Sequence, residues 1–221
     1  MEINMKKIIK MTMFSAAFLF WSASPVFSIL EAAAEGNVSG YILTNTDSTV
    51  TEDEKKLDFI GPGASVYIHW TFGFPEVLTI GLGPSFDLAA MKYYGNLTGM
   101  NTFLNIRGAA ELMVTLDIVP KAMPFVRLGY GYEYNGFDKE YSGISLPVIM
   151  QGGSLHANMG VVIPIIPLVR ISLEGGIVSG TLSTSTEDPS GTILQTYLDS
   201  INKSEYNHFG WRAGLGVQIS I

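Results

Sequence analysis

The chain has 221 residues, of which 47% are apolar and only 15% are charged, with 20 acidic against 13 basic side chains. It is therefore oilier than an average soluble domain. The acidic balance argues against a nucleic-acid partner, which would require a clustered basic surface. The absence of cysteine excludes disulfides, thiolate metal sites, a thiol nucleophile and a lipid-modified cysteine.

The N-terminal segment has the features of an export signal. Three lysines precede a short apolar core, residues 11–21, and residues 26–28 offer a cleavage site. We predict that residues 1–28 are a signal peptide, cleaved after Ser28, and that residues 29–221 form one domain. No stretch supplies the roughly 20 uninterrupted apolar residues that a membrane-spanning helix requires.

Four strands are predicted in the first half of the chain. The first lies near Asn37 to Asn45, and its facing stays open because its apolar residues do not alternate. The second covers about Leu57 to Phe72, the third Leu78 to Leu88 and the fourth Leu104 to Asp117, and in each of these every second residue is apolar. We expect a bulge or bend at Pro84, because proline cannot donate to a strand ladder.

Four more strands are predicted in the second half: Val126 to Tyr134, Ser154 to Ile163, Val169 to Ile177, and His208 to Ile221, where the alternation is strictest. Short connections follow the second, fourth and sixth strands, and longer ones follow the first, third, fifth and seventh. The later three of these loops are predicted at residues 91–100, 135–146 and 181–206.

This pattern predicts an all-β fold, an eight-stranded antiparallel transmembrane barrel with meander order. A long strand with an exposed apolar face is an aggregation hazard in water, but it fits a barrel that closes on itself in a membrane. Short turns on one side and longer loops on the other are typical of outer-membrane barrels, with both chain termini in the periplasm. A soluble lipocalin-like barrel, with the apolar set inside, stays open as an alternative.

All four arginines fall on the polar phase of their strands. On a lipid-facing wall at mid-depth each would cost roughly 2–4 kcal/mol, so the phase is strongly constrained. An eight-stranded barrel is only wide enough inside for side chains to fill it, and buried charges must pair. We therefore predict a polar network in the interior, acting as a plug or as a gate, from Arg107, Glu111, Arg127, Glu133, Arg170, Glu174, Arg212, Asp87, Tyr67, His69 and His156.

The chain resembles the small eight-stranded outer-membrane barrels, the group of OmpA-type transmembrane domains, OmpX and OmpW. The resemblance covers the whole predicted domain and is most specific in the last strand, where Trp211 and the glycines Gly214 and Gly216 precede alternating apolar residues. That segment is most similar to the closing strand of OmpW-like proteins. The resemblance implies export to the outer membrane of a diderm bacterium, with membrane lipid and the assembly machinery as partners.

Three functions follow as hypotheses. An OmpW-like conduit would pass small hydrophobic compounds sideways from the barrel mouth into the membrane. The helical spacing of one apolar set suggests a lining for that mouth: Ile193, Leu194, Tyr197, Leu198 and Ile201. The alternative is a structural or adhesive surface protein of the OmpX type, whose acidic loops at residues 52–54 and 187–188 would bind host-surface ligands.

The third hypothesis is an enzyme, such as a barrel-type lipid palmitoyltransferase or outer-membrane protease. It would need a histidine with a serine or aspartate near the outer rim, and the candidates are His208, Ser204 and Asp199. A lone histidine at a rim usually has no such role, so we expect no enzyme. The three histidines lie on different strands without ligand spacing, so we also expect no metal site and no cofactor.

Overall fold

The computed structural model describes residues 29–46, 56–74, 77–94, 102–117, 121–141, 144–185 and 205–220. They form a closed antiparallel barrel in which each strand pairs with its sequence neighbours and the last pairs with the first, which confirms the predicted fold class. Among these residues no helix is long and apolar enough to span a membrane. The strands are β1 (Ile29–Asn45), β2 (Lys56–Phe74), β3 (Leu78–Tyr93), β4 (Thr102–Leu116), β5 (Met123–Tyr141), β6 (Ile144–Ile166), β7 (Val169–Ser185) and β8 (Glu205–Ser220).

The outer wall of the barrel is apolar and its interior is polar at mid-height. Leu128 is 50% exposed and Leu173 61%, whereas Arg127 is 1% exposed and Glu133 fully buried. The predicted facing of β2 to β8 is therefore confirmed. This arrangement is the reverse of a soluble lipocalin-like barrel, and it presents a band of exposed apolar side chains, as a membrane-spanning barrel requires.

The first strand was placed wrongly at its start. β1 begins at Ile29 and not near Asn37, and over the added length Glu31 and Glu35 face inward while Ala34 faces outward. The alternation was hidden further along, because Tyr41 and Leu43 are apolar and also face inward.

Three loops were predicted too long for the same reason. The predicted loop at 91–100 is shorter because β3 continues to Tyr93. The predicted loop at 181–206 is shorter because β7 continues to Ser185 and β8 already begins at Glu205. The predicted loop at residues 135–146 is mostly strand, since β5 and β6 stay paired until Tyr141 meets Ile144. Near this end of the barrel the inward residues Met91 and Phe137 are buried and apolar, whereas the outward residues Lys92 and Asp138 are exposed and polar. The inward-polar pattern of the middle of the barrel therefore does not continue into these segments.

Pro84 does not produce a bulge. The register of β2 with β3 is the same on both sides of it, but the pairing is interrupted where Ile68 and His69 face Gly83 and Pro84. A missing proline N–H removes a ladder bond without shifting the strands. The register shift in the barrel lies instead between β6 and β7, at Pro164 to Ile166.

The two rims of the barrel differ. The turn rim joins β2 to β3, β4 to β5 and β6 to β7, and it also holds the start of β1 and the end of β8, where Glu31 pairs with Ser220. The opposite edge, the loop rim, joins the other consecutive strands. This orientation puts both ends of the described barrel on the same side.

Inward-facing side chains fill the barrel in three layers. The first, the loop-end cluster, is apolar and aromatic and lies toward the loop rim. The second, the ion-pair layer, occupies the middle. The third, the turn-end cluster, is apolar again and consists of Met113, Met123, Phe125 and Val162. The loop-end cluster comprises Tyr41, Leu43, Leu57, Phe59, Ala89, Met91, Phe103, Phe137, Val148, Met150, Val178 and Leu182.

Candidate functional site

The ion-pair layer is built by inward positions of all eight strands. Six carboxylates and four arginines from the described residues take part, as ion pairs that join strands distant in sequence. Most of these side chains are almost completely buried. Because an isolated buried charge is far too costly in such a place, each must be held by the others.

Asp87 on β3 holds two arginines. The Nε and Nη2 atoms of Arg107 donate to Asp87 Oδ2 over 2.9 and 2.6 Å, and Arg212 Nη1 donates to Oδ1 over 2.5 Å. Arg212 also reaches Glu174 Oε1, with 2.8 Å between Nη2 and the oxygen. One carboxylate thus connects β4 and β8 through the middle of the barrel.

Arg127 on β5 is the centre of a second group. Its Nη2 donates to both oxygens of Glu174 over 2.7 and 2.8 Å. The same guanidinium approaches Glu35 to 3.6 Å and Glu111 to 3.4 Å, and it lies over the ring of Tyr67 with 4.2 Å to the centroid. A planar guanidinium suits this position, since it can serve several carboxylates and stack on an aromatic ring.

Two carboxylates are held by histidines. Glu111 Oε1 lies 2.6 Å from His156 Nε2, and its Oε2 lies 3.4 Å from His69 Nε2. Glu133 Oε1 lies 3.4 Å from His208 Nε2 and 4.0 Å from Arg107. The histidines are therefore part of the packing of the layer.

His208 does not lie at an exposed rim, as the enzyme hypothesis required. It is 2% exposed, faces the interior and stacks on Tyr41 with 5.8 Å between ring centroids. Its supposed partners, Ser204 and Asp199, lie outside the described residues. His208 is separated from Arg212 by an even number of positions, so both side chains lie on the inner face of β8 and His208 cannot lie at an exposed rim.

A smaller polar group closes the turn-rim side of the layer. Arg170 Nη1 donates to Glu31 Oε1 over 2.6 Å, and Gln218 Nε2 donates to Glu31 Oε2 over 2.7 Å. The Arg170 side chain is 24% exposed, the largest value among the ion-pairing arginines. Arg170 therefore faces the aqueous end of the barrel.

The structure places all eleven residues of the predicted network on the inner face, and it brings most of them into direct contact. Glu31 and Glu35 were missed because the predicted β1 began too late. Their spacing of four residues places both side chains on the same face of a strand. Glycines make room for the network, since a Cβ at Gly129 would collide with the ring of His156 and one at Gly176 with Asn158. Other participants missed from sequence are Ser65, Asn105, Asn158, Ser172, His208 and Gln218.

The loop-end cluster was not predicted at all. Phe59 and Phe103 stack with 4.4 Å between centroids, and Phe137 packs beside them. Tyr41 connects this cluster to the polar layer below, because its hydroxyl donates to Asn105 Oδ1 over 3.4 Å. Among the described residues, an apolar cluster therefore lies over the charged layer on the side of the loop rim.

A small cavity lies in the described interior, beside the Asp87 group. This cavity of about 20 Å³ lies between Ser39, Tyr41, Asp87, Arg107 and Arg212, which is room for about one water molecule. The described part of the chain contains no group of three or more histidine or carboxylate side chains arranged to hold a metal. The predicted mouth lining, from Ile193 to Ile201, lies outside the described residues, as do both acidic loop segments.

Comparisons with known proteins show the fold. No protein-family model and no curated protein matches the sequence. The outer-membrane protein AlkL, solved in lipid bilayers, is 13% identical, with a TM-score of 0.52 over 90% of this chain and 93% of that one. Neisserial surface protein A scores 0.49 at 12% identity over 85% and 96%, and the protease OmpT from Escherichia coli scores 0.49 at 8% over 88% and 97%. The chain thus has the closed barrel architecture of outer-membrane proteins.

Proposed function

We propose that this protein is an outer-membrane conduit that passes small hydrophobic compounds sideways into the membrane. The observation that carries the proposal is the layered interior, in which an apolar aromatic cluster lies toward the loop rim and an ion-pair layer lies beneath it. A water-filled pore is incompatible with such a filling. An apolar solute entering from the loop rim would meet aromatic rings first and a charged barrier next, so its favourable way out is through the wall.

The wall has a weak seam at the level of the loop-end cluster. Pairing between β2 and β3 is interrupted at Gly61 and Pro62, opposite Ala90 and Met91, while the register is unchanged on both sides. Proline supplies no ladder hydrogen bond, and a Cβ at Gly61 would lie 2.6 Å from Met91 Cα. The seam is therefore closed by backbone contact but held by fewer hydrogen bonds than its surroundings.

Beneath the seam, the ion-pair layer acts as a plug. Its members come from all eight strands, so opening it would break several buried pairs together, each costing several kcal/mol when one partner is lost. A gate of that kind would open rarely. The expected result in planar bilayers is no steady ion conductance from the purified protein.

The conduit is tested with a cross-link across the seam. Ile60 and Lys92 are direct partners on the outer face of β2 and β3, and the cysteine-free chain allows a clean Ile60→Cys/Lys92→Cys pair. Liposomes with the wild type should take up naphthalene faster than protein-free liposomes, those with the oxidised variant should match the protein-free rate, and reduction should restore the difference. An Ile106→Cys/Tyr134→Cys pair, across β4 and β5, is the matched control.

Two results would end this proposal. If the wild type does not speed naphthalene uptake above the rate of protein-free liposomes, the protein is no conduit for such compounds. If the oxidised seam variant takes up naphthalene as fast as the control, the route between β2 and β3 is wrong.

The proposal includes export with a cleaved signal peptide and insertion into an outer membrane by the assembly machinery. Insertion into a membrane is supported by the apolar exterior of the described strands. Cell fractionation followed by N-terminal sequencing tests it: the mature chain should be found in the outer membrane and begin at Ile29. A chain found in the inner membrane with Met1 retained would contradict it.

A further inference from the structure

The outer wall carries an open groove that the conduit does not use. It has a volume of about 850 Å³ and crosses β3 to β7, with Ala110 and Ala157 at its floor and Leu82, Leu128, Tyr130 and Ser179 among its sides. This volume lies in the range of small-molecule sites, about 300–1,000 Å³. The groove exists because small outward residues lie between large ones.

The groove lies within the band of exposed apolar side chains. Leu112 and Leu155 beside it are 40% and 64% exposed, so it opens to the same surroundings as the rest of the wall. A concavity there is filled by hydrocarbon, since atoms facing a void lose their dispersion contacts. From β3 to β7 the groove runs roughly 19 Å at the usual strand spacing, and the strand tilt of about 35–45° inclines it to the membrane plane.

One edge of the groove is polar and the other is not. Ser179 pairs with Leu155 on the side toward the loop rim, and the hydroxyl of Tyr130 reaches the same side, lying 2.5 Å from the place of a Cβ on Gly153. The edge toward the turn rim holds Leu82 and Ile177. Both hydroxyls can donate a hydrogen bond, and both lie along the loop-rim edge of the groove, Ser179 at its β7 end and Tyr130 on β5, midway along it.

We propose that this groove is a specific binding site for one membrane lipid of the leaflet on the loop-rim side. An acyl chain lies along the groove, and the carbonyl of its ester or amide linkage accepts hydrogen bonds from Tyr130 and Ser179. The polarity of the groove favours this occupant: a plain hydrocarbon would leave both hydroxyls unpaired, whereas a lipid supplies an acceptor where the donors lie. The lipid then covers the wall directly outside Gly129, beneath which His156 packs.

The test is native mass spectrometry of the purified full-length protein after mild detergent extraction and addition of palmitoyl-oleoyl phosphatidylethanolamine. The wild type should retain one lipid at activation energies that strip the others. Ala157→Phe fills the groove and should abolish retention. Ala213→Phe, at an exposed outer position of β8 away from the groove, should not.

Two gentler variants keep the test decisive even if Ala157→Phe folds poorly. Ser179→Ala and Tyr130→Phe should each lower the retained fraction about threefold, the effect of one lost hydrogen bond. The proposal is overturned if the wild type retains no lipid, if both hydroxyl variants retain as much as the wild type, or if the retained mass is that of a free fatty acid.

Discussion

Arg127 on β5 and Glu174 on β7 meet across the interior of the barrel, where one guanidinium nitrogen donates to both carboxylate oxygens over 2.7 and 2.8 Å. These strands are separated in the sheet by β6, so the pair bridges parts of the wall that share no backbone hydrogen bonds. Both side chains are 1% exposed. Since the same arginine also serves Glu35 and Glu111, it is the charge on which the ion-pair layer depends most.

Replacing Arg127 with methionine should therefore destabilise the barrel strongly. The substitution leaves Glu174, Glu35 and Glu111 without their common cation, and breaking a buried pair costs about 3–5 kcal/mol. Urea unfolding in lipid vesicles measures the loss. Arg170→Met is the control, because the partly exposed Arg170 should matter less; equal losses for the two variants would contradict the central role of Arg127.

Glu174 and Glu35, which both approach Arg127, should contribute differently to the stability of the barrel. Glu174 contacts both Arg127 and Arg212 within 2.8 Å, whereas Glu35 lies 3.6 Å from Arg127. Glu174→Gln should lower the free energy of unfolding more than Glu35→Gln, since it weakens two short charge-assisted hydrogen bonds. Urea unfolding in lipid vesicles measures both losses. A larger loss for Glu35→Gln would show that the shorter ion-pair distance does not identify the more stabilising pair.

The outer wall should reject charge at mid-depth. Leu128→Arg places a guanidinium in hydrocarbon and should cost about 2–4 kcal/mol, while Leu168→Arg, in the connection between β6 and β7 at the turn rim, should cost about 0–1 kcal/mol. Both leucines are well exposed, at 50% and 60%. Urea unfolding in lipid vesicles measures the change in the free energy of unfolding for both variants. An unchanged stability of the Leu128→Arg variant would mean that this face does not contact lipid.

Gly129 should tolerate no side chain. A Cβ there would lie 2.6 Å from His156 Nε2 and 2.8 Å from the carbonyl oxygen of Ala110, whereas a Cβ at Gly108 would meet nothing within 4 Å. Gly129→Ala should therefore reduce the folded fraction, seen as a loss of the heat-dependent gel shift, because His156 must leave Glu111. Gly108→Ala should fold as the wild type does. Normal folding of both variants would show that the histidine has room to move.

The sequence by itself determined the architecture. Strict alternation in β2, β3, β4 and β8, with every arginine on one phase, leaves a closed barrel with lipid outside as the arrangement that avoids exposed strand edges and charges in hydrocarbon. The polar residues that would share the interior could be named for the same reason. A period of two fixes which face a residue occupies, and the face fixes its surroundings.

Only the tertiary structure decided which charges meet and where the polar interior ends. Arg127 contacts Glu174, which lies 47 positions away, and alternation along a strand holds no information about contacts across a lumen. Near the loop rim the inward residues Met91, Phe137 and Leu182 are apolar, so the inward-polar pattern ended there and strands were predicted as loops. Closure of the barrel brings these side chains together. They are apolar because they are buried against one another, not because they contact lipid.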